Sequence, residues 1–201
     1  MRTLDPWLTE SIGTERLILQ QPNMVSASRV LTFNLENKVF HAPWEPVRPP
    51  EFYEEDAIRL MLERQARENA SGAALHLYLQ RPQAAEILGT VSLSNIIYGA
   101  FLSCFLGYRM ARCETCHGYM SEAVGALVDI AFNRYGLHRI EANIMPGNHA
   151  SVRLVERLGF MNEGYSSRYM QIAGCWEGHS HYVLLNDNLE HADQSEKPCM
   201  E

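Results

Sequence analysis

Cys113, Cys116 and His117 stand in the spacing C-x-x-C-H within "ARCETCHGYM", Ala111 to Met120. Two thiols and an imidazole so spaced have three chemistries open to them: covalent attachment of a c-type haem, half of a zinc site, or a redox dithiol. His179 and His181 in "HSH" stand two apart. On a strand they share a face, which gives two metal-ligating imidazoles with no third ligand in sight or, more simply, a surface strand face. Three further groups could move protons: Glu45 in "APWEPVR", Glu141 in "HRIEANIM", and Ser151, three residues after Asn148 in "NHASVRLVERLGF". Which chemistry applies depends on the elements that hold these residues.

The 201 residues suggest one domain, large enough to bury about 70% of its unfolded surface. Hydrophobic residues at 46% and charged residues at 20% are ordinary for a globular chain. No apolar run approaches the roughly 20 residues that span a bilayer, and "MRTLDPWLTESIGTERLIL" lacks the apolar centre of a secretory signal. A cytoplasmic protein without membrane contact is expected, which counts against haem, attached to such motifs after export. Five cysteines, an odd number, argue against a disulfide framework. The net charge of −7 argues against direct nucleic-acid binding and is compatible with a basic peptide partner.

Along the chain, "TERLILQQP" reads as a first strand ended by Pro22. Val25, Val30, Leu31, Leu35 and Val39 space a helix over Met24–Phe40. "HAPWEPVRPP" holds four prolines in ten residues and forms a rigid loop presenting Trp44 and Glu45. A helix over Glu51–Asn69 places Ala57, Leu60, Met61 and Arg64 on one stripe. Strands at Ala74–Leu79, Glu86–Asn95 and Leu102–Met110 predict an antiparallel meander. The pattern then changes. A polar loop, "RCETCHG", leads into a helix from Tyr119 to Tyr135 with a broad apolar face (Met120, Ala123, Val124, Leu127, Val128, Ile130, Ala131) and Gly136 as its stop. A strand at His138–Met145, a turn at "PGN", a short helix ending at Gly159 and two strands, Gly164–Ile172 and Trp176–Leu185, complete the domain over 1–187. The remainder, 188–201, is polar and reads as a disordered tail. Cys104 and Cys175 read as buried small hydrophobes. Trp7, Trp44, Tyr53 and Trp176 fit either a core or a peptide groove.

The loop at Cys113–His117 thus joins a strand to a helix N-terminus. Such a junction exposes backbone N–H groups and the positive end of the helix dipole, a place for phosphate. Gly118 permits close approach, and Glu122 in the first turn complements the dipole.

Taken with "TERLIL", "APWEPVR", "GTVSLSNIIYGAF", "CFLGYRM", "GYMSEAV", "HRIEANIMPGN" and "SVRLVERLGFMNEGY", the chain resembles the GNAT superfamily of acetyl-CoA-dependent N-acetyltransferases. The likeness runs from "TERLIL" to "HYVLL" and is nearest the bacterial ribosomal-protein-alanine (Rim-type) branch. It implies a single mixed α/β (α+β) domain: a central, mostly antiparallel sheet with one splayed parallel pair, flanked by helices. It also implies acetyl-CoA as cosubstrate, no haem or metal, and a primary amine as acceptor. That amine is a protein N-terminus, such as that of a ribosomal protein, or else a polyamine, amino acid or antibiotic. A degenerate module without catalysis is the rival of another class. The protein would work as a monomer or homodimer.

The resemblance assigns the strand at Tyr108–Met110 to the pantetheine arm and the loop Thr115, Cys116, His117, Gly118, Tyr119, Met120 to the pyrophosphate. The family's loop carries Gln or Arg where Thr115 stands, Gly at Cys116 and Lys or Arg at His117. Backbone donors survive these changes. The missing cation leaves Arg112 as its replacement. Ser151 would protonate the departing thiolate, Asn148 would hold the cofactor's amides, and Asn143 lies on the strand beside the thioester. An α-amino group, with a pKa of about 7.7–8.0, needs only a modest base. Glu141 on that strand and Glu45 from the acceptor side are the candidates. A backbone N–H of the Ile140–Met145 strand or of Met110 would polarise the carbonyl.

Overall fold

A computed structural model describes residues 10–189. Trp7, Cys199 and the tail from residue 190 lie outside that range. Eight strands form one sheet: β1 (Ile12–Gly13), β2 (Ile18–Gln20), β3 (Leu75–Gln80), β4 (Gly89–Ile97), β5 (Ser103–Met110), β6 (Arg139–Ile144), β7 (Met161–Ile172) and β8 (Cys175–Leu185), in the order β1-β2-β3-β4-β5-β6-β8-β7. Every neighbouring pair is antiparallel except β5 and β6. The meander expected over β3–β5 is present, and the fold class read from the sequence holds.

Helices cover both faces. On one side α4 (Tyr119–Asp129), its π-helical extension Ile130–Arg134 and α5 (His149–Arg157) bury Val124, Leu127 and Val155 against Leu77, Val91, Ile140, Ala142 and Tyr182. On the other, α1 (Ala27–Glu36) and α3 (Glu55–Ser71) gather Val30, Phe33, Ile58 and Leu62 around Tyr78. Strand alternation explains the division: Leu77 and Leu79 serve the first core, Tyr78 the second.

Three details depart from the sequence reading. The helix expected over Met24–Phe40 is broken at Asn37, between α1 and a short α2 (Lys38–His41). Its inward face carries Val30, Phe33, Asn34, Asn37 and His41, while Leu35 and Val39 are exposed. The reason is a tertiary contact: Asn37 Oδ1 accepts from the Arg112 N–H at 2.8 Å, tying this helix to the loop after β5. In α3 the buried positions are Ile58, Leu62 and Asn69, and Leu60 faces out. Here the polar groups choose the face: Gln65 accepts from the Tyr78 hydroxyl at 2.7 Å, and Asn69 donates to Gln21 and to the His76 carbonyl. Cys104 is buried as expected, but Cys175 is exposed, because it follows the two-residue turn Ala173–Gly174 at the tip of the β7–β8 hairpin.

Candidate active site

β5 and β6 pair only over Ser103–Arg139, Cys104–Ile140 and Phe105–Glu141. Beyond these β5 continues along β4 to Met110, β6 continues along β8 to Ile144, and the two separate. This splay leaves one edge of β5 unpaired. The Ala111 N–H donates to Leu88 O at 2.7 Å, so Ala111 and Arg109 aim their backbone groups at β4. By alternation Tyr108 and Met110 aim theirs into the gap. His41 Nε2 meets Met110 O there at 2.9 Å. The remaining donors and acceptor of this edge match an extended amide-bearing chain, which is what a pantetheine arm is.

The gap opens into a cleft of about 820 Å³ lined from both faces of the sheet. On the α4/α5 side stand Tyr108, Thr115, Cys116, Gly118, Tyr119, Met120, Asn148 and Ser151. On the α1/α3 side stand Glu45, Arg109 and His179, with Asn143 on β6. Tyr108 and Arg109 show the alternation directly. The Tyr108 hydroxyl donates to Ser151 O at 3.3 Å, whereas the Arg109 guanidinium lies 5.5 Å over the Phe33 ring and 3.4 Å from Glu45 Oε1. Burial pushes the Tyr108 hydroxyl up to about 12, so it stays a neutral donor.

Where α4 begins, Gly118 has φ +80 and caps the helix, presenting its first N–H groups. Arg16 fixes this loop from outside. Its Nη1 donates to His117 O at 2.9 Å and its Nε to Glu122 Oε2 at 2.8 Å. Glu122 also accepts from the Thr14 hydroxyl and the Arg16 N–H. Burial works to raise its pKa, but the Thr14 and Arg16 donors outweigh that and leave it below the ordinary carboxylate value. The sequence reading gave Glu122 a dipole role and passed over Arg16, although "TERLIL" contained it. Replacing Arg16 by Ala is expected to weaken acetyl-CoA binding about tenfold, roughly 1.4 kcal/mol, measurable by calorimetry; unchanged affinity would show that the loop holds its shape unaided.

Other residues sit less centrally than the sequence suggested. Arg112 and His117 do not line the cleft: Arg112 is exposed, and His117 stacks on Tyr119 at 5.8 Å. Besides Arg109, the cations that line it are Arg153 and Arg157, one turn apart on α5; no local signal in the sequence brings α5 to this cleft. Among the described residues no three His, Cys, Asp or Glu side chains are grouped to hold a metal ion. Glu141 lies outside the cleft lining, with Oε2 3.1 Å from Arg139 and Oε1 3.4 Å from His181. Glu45 lies inside it, but Arg48 holds its Oε2 at 3.2 Å and Arg109 its Oε1.

Asn148 is the N-cap of α5: its Oδ1 accepts from the Ser151 N–H at 3.2 Å, which leaves its Nδ2 for a ligand. A helix-start role for the Ser151 hydroxyl is thereby already filled by another residue. His179 and His181 do share a face, but His179 is only 4% exposed, so this is no surface strand. His181 bonds Asn143 through Nδ1 and Ser166 through Nε2 at 2.8 Å, and the Tyr169 ring packs on both imidazoles.

A protein-family model described as an acetyltransferase (GNAT) domain matches residues 16–161. This chain belongs to the GNAT acetyltransferase family. The GNAT enzyme is 34% identical over 168 residues to the [ribosomal protein uS5]-alanine N-acetyltransferase of Escherichia coli, covering 84% of this chain and 87% of that one. It is 32% identical to the probable N-acetyltransferase YjcK of Bacillus subtilis, over 83% of this chain and 92% of the relative. Among solved structures, the ribosomal-protein-S5-alanine acetyltransferase of Vibrio fischeri superposes with TM-score 0.83 at 29% identity, covering 89% and 98% of the two chains. Mycobacterium smegmatis RimJ, in complex with CoA-disulfide, shares the fold with TM-score 0.81 at 23% identity. The protein is thus an acetyl-CoA-dependent N-acetyltransferase. Among its described residues no helix is long and apolar enough to cross a membrane.

Family membership explains a strained residue in this GNAT enzyme. Cys116, where the family pattern has glycine, holds φ +65. A left-handed L-residue costs about 1–2 kcal/mol, partly offset because glycine has more chain entropy to lose, about 0.5–1 kcal/mol. Cys116→Gly is therefore expected to leave activity intact and to raise the melting temperature by about 1–3 °C; a lower melting temperature would mean that the thiol makes a compensating contact.

Proposed function

We propose that the acceptor is the N-terminal amine of a protein, in the class of a ribosomal protein, acetylated in the cytoplasm by direct attack on the acetyl-CoA thioester. The observation that carries this reading is the mouth of the cleft on the Glu45 side. There two polypeptide segments meet: the Ala173 N–H at the hairpin tip donates to Glu45 O in the proline-rich loop at 2.9 Å. Val47 lies against Gly174. Trp44, Val47 and Trp176 are all exposed around this meeting point, at 39%, 72% and 63%. Exposed tryptophans around such a meeting point suit an extended peptide better than a compact polyamine or amino acid. The name of the Escherichia coli relative supports the same class of acceptor.

In this reading β5 binds the cosubstrate's arm through Tyr108 and Met110. The loop at Thr115, Cys116 and Gly118, with the first turn of α4, receives the pyrophosphate, and His117 stands beside it against Tyr119. Asn148 Nδ2 and Asn143 hold amide groups, and Ser151 gives a proton to the leaving sulfur. A single domain over 1–187 suffices for these roles.

Thiol release should be followed with acetyl-CoA and a panel of basic peptides bearing free N-termini, beside spermidine, free amino acids and an aminoglycoside. Turnover at least tenfold higher in kcat/KM for a peptide is expected. Turnover confined to a small amine would replace the acceptor. Binding of acetyl-CoA without turnover on any amine would favour the non-catalytic module.

A further inference from the structure

Neither carboxylate nominated from the sequence has an oxygen free at the cleft. Glu45 is held by two guanidinium groups, and Glu141 lies outside the cleft lining, tied to Arg139 and His181. An acid–base group with an open lone pair is therefore to be sought among the other lining residues. His41 donates from Nε2 to Met110 O and keeps Nδ1 uncommitted, but its ring packs against Phe33 at 5.7 Å and Phe40 at 5.4 Å, away from the open end of β6. His149 is an exposed residue on the α5 side, away from the acceptor mouth. His179 combines burial, the acceptor face and an uncommitted ring nitrogen at the open end of β6.

The geometry points to His179 as the general base that takes the proton from the acceptor amine. Its Nδ1 lies 3.2 Å from Glu177 O. A carbonyl can only accept, so Nδ1 carries the hydrogen and Nε2 carries the lone pair. β8 places His179 one residue beyond the Ile144–Ser180 pair, at the open end of β6 where the splay is widest. Tyr169 on β7 packs 5.3 Å from its ring and holds its orientation.

The charge environment keeps the imidazole neutral. Burial lowers its pKa most and His181 lowers it further, against the opposing pull of the Glu177 carbonyl and carboxylate. The other titratable and charged groups around it are Tyr169 on β7, Glu141 with Arg139 on β6, and His41 and Glu45 with Arg109 and Arg48 across the cleft. A base of this kind suits an amine that arrives uncharged. As the nitrogen bonds to the thioester carbon, its N–H becomes acidic and the proton passes to Nε2. The C–S bond breaks, the sulfur takes a proton from Ser151, and solvent restores both side chains.

This step rests on the amine-acetylation reading, so two measurements are needed. The first is His179→Gln assayed with the best acceptor found, beside calorimetry with acetyl-CoA. A fall in kcat of about 100-fold or more, with acetyl-CoA affinity unchanged, is expected; a fall smaller than about threefold overturns the assignment. The second uses wild-type protein and needs no turnover: nitrogen NMR of histidine-labelled enzyme at pH 7.5. A neutral ring with hydrogen on Nδ1, whose Nε2 signal shifts when acceptor is added, is expected. A ring with hydrogen on Nε2, or one protonated at that pH, overturns it even if the variant fails to fold.

Discussion

Ser151→Ala is expected to lower kcat by about 100-fold or more while leaving the fold and acetyl-CoA affinity near wild type. Protonation of a leaving group by a positioned side chain contributes 10²–10⁴-fold. The structure makes this substitution unusually clean. The Ser151 N–H is capped by Asn148 Oδ1 and its carbonyl accepts from Tyr108, both through the backbone, which alanine retains. The hydroxyl stands at the third position of α5, where alanine is at least as good a helix former. A serine that merely began the helix would give a stability change and no kinetic one. Steady-state kinetics and a thermal melt on the same sample separate the two outcomes, and kcat within threefold of wild type would remove Ser151 from the chemistry.

The second large effect is on stability. Gly89 opens β4 opposite Met110, and a Cβ added there would lie 2.4 Å from the Arg109 carbonyl oxygen and 2.9 Å from Met110 Sδ. The first contact is with backbone and has no rotamer escape, so β4 must draw away from the part of β5 that borders the cleft. Gly89→Ala is expected to cost about 2–3 kcal/mol, the upper part of the overpacking range. In a domain of this size that is about 5–10 °C in melting temperature. Acetyl-CoA affinity should fall with it, since Tyr108 and Met110 move. A melt unchanged within about 2 °C would show that this pair of strands is more compliant than its geometry indicates.

How much of this was legible in the sequence depends on the kind of signal. The α4 face was readable because Met120, Ala123, Val124 and Leu127 are apolar at helical spacing and nothing competes with that pattern. The faces of α1 and α3 were misread because buried polar residues set them. Asn37 satisfies a backbone group 75 residues away and Asn69 one on the next strand, and no apolar periodicity announces such bonds. The strand–loop–helix context of Cys113–His117 was legible from the patterns on either side of it, although its side chains pointed toward haem or zinc. Its anchor, Arg16, was hidden by a separation of about a hundred residues. His179 and His181 were seen as a pair sharing a face, but which face the strand shows to the cleft follows from the order β6-β8-β7, a long-range pairing. Glu141 and Asn143 likewise sit two apart on β6, yet only Asn143 reaches the cleft, because the splay begins just past Phe105–Glu141.

All of these roles require one arrangement, the cosubstrate's arm in the gap between β5 and β6 with its sulfur beside Ser151. A crystal structure with coenzyme A tests it directly. Expected are pantetheine amides bonded to the backbone of Tyr108 and Met110, pyrophosphate on the N–H groups after Gly118, and the sulfur within hydrogen-bond reach of Ser151 Oγ and open toward His179. Coenzyme A bound elsewhere, or its sulfur pointing away from Ser151 toward solvent, would contradict it.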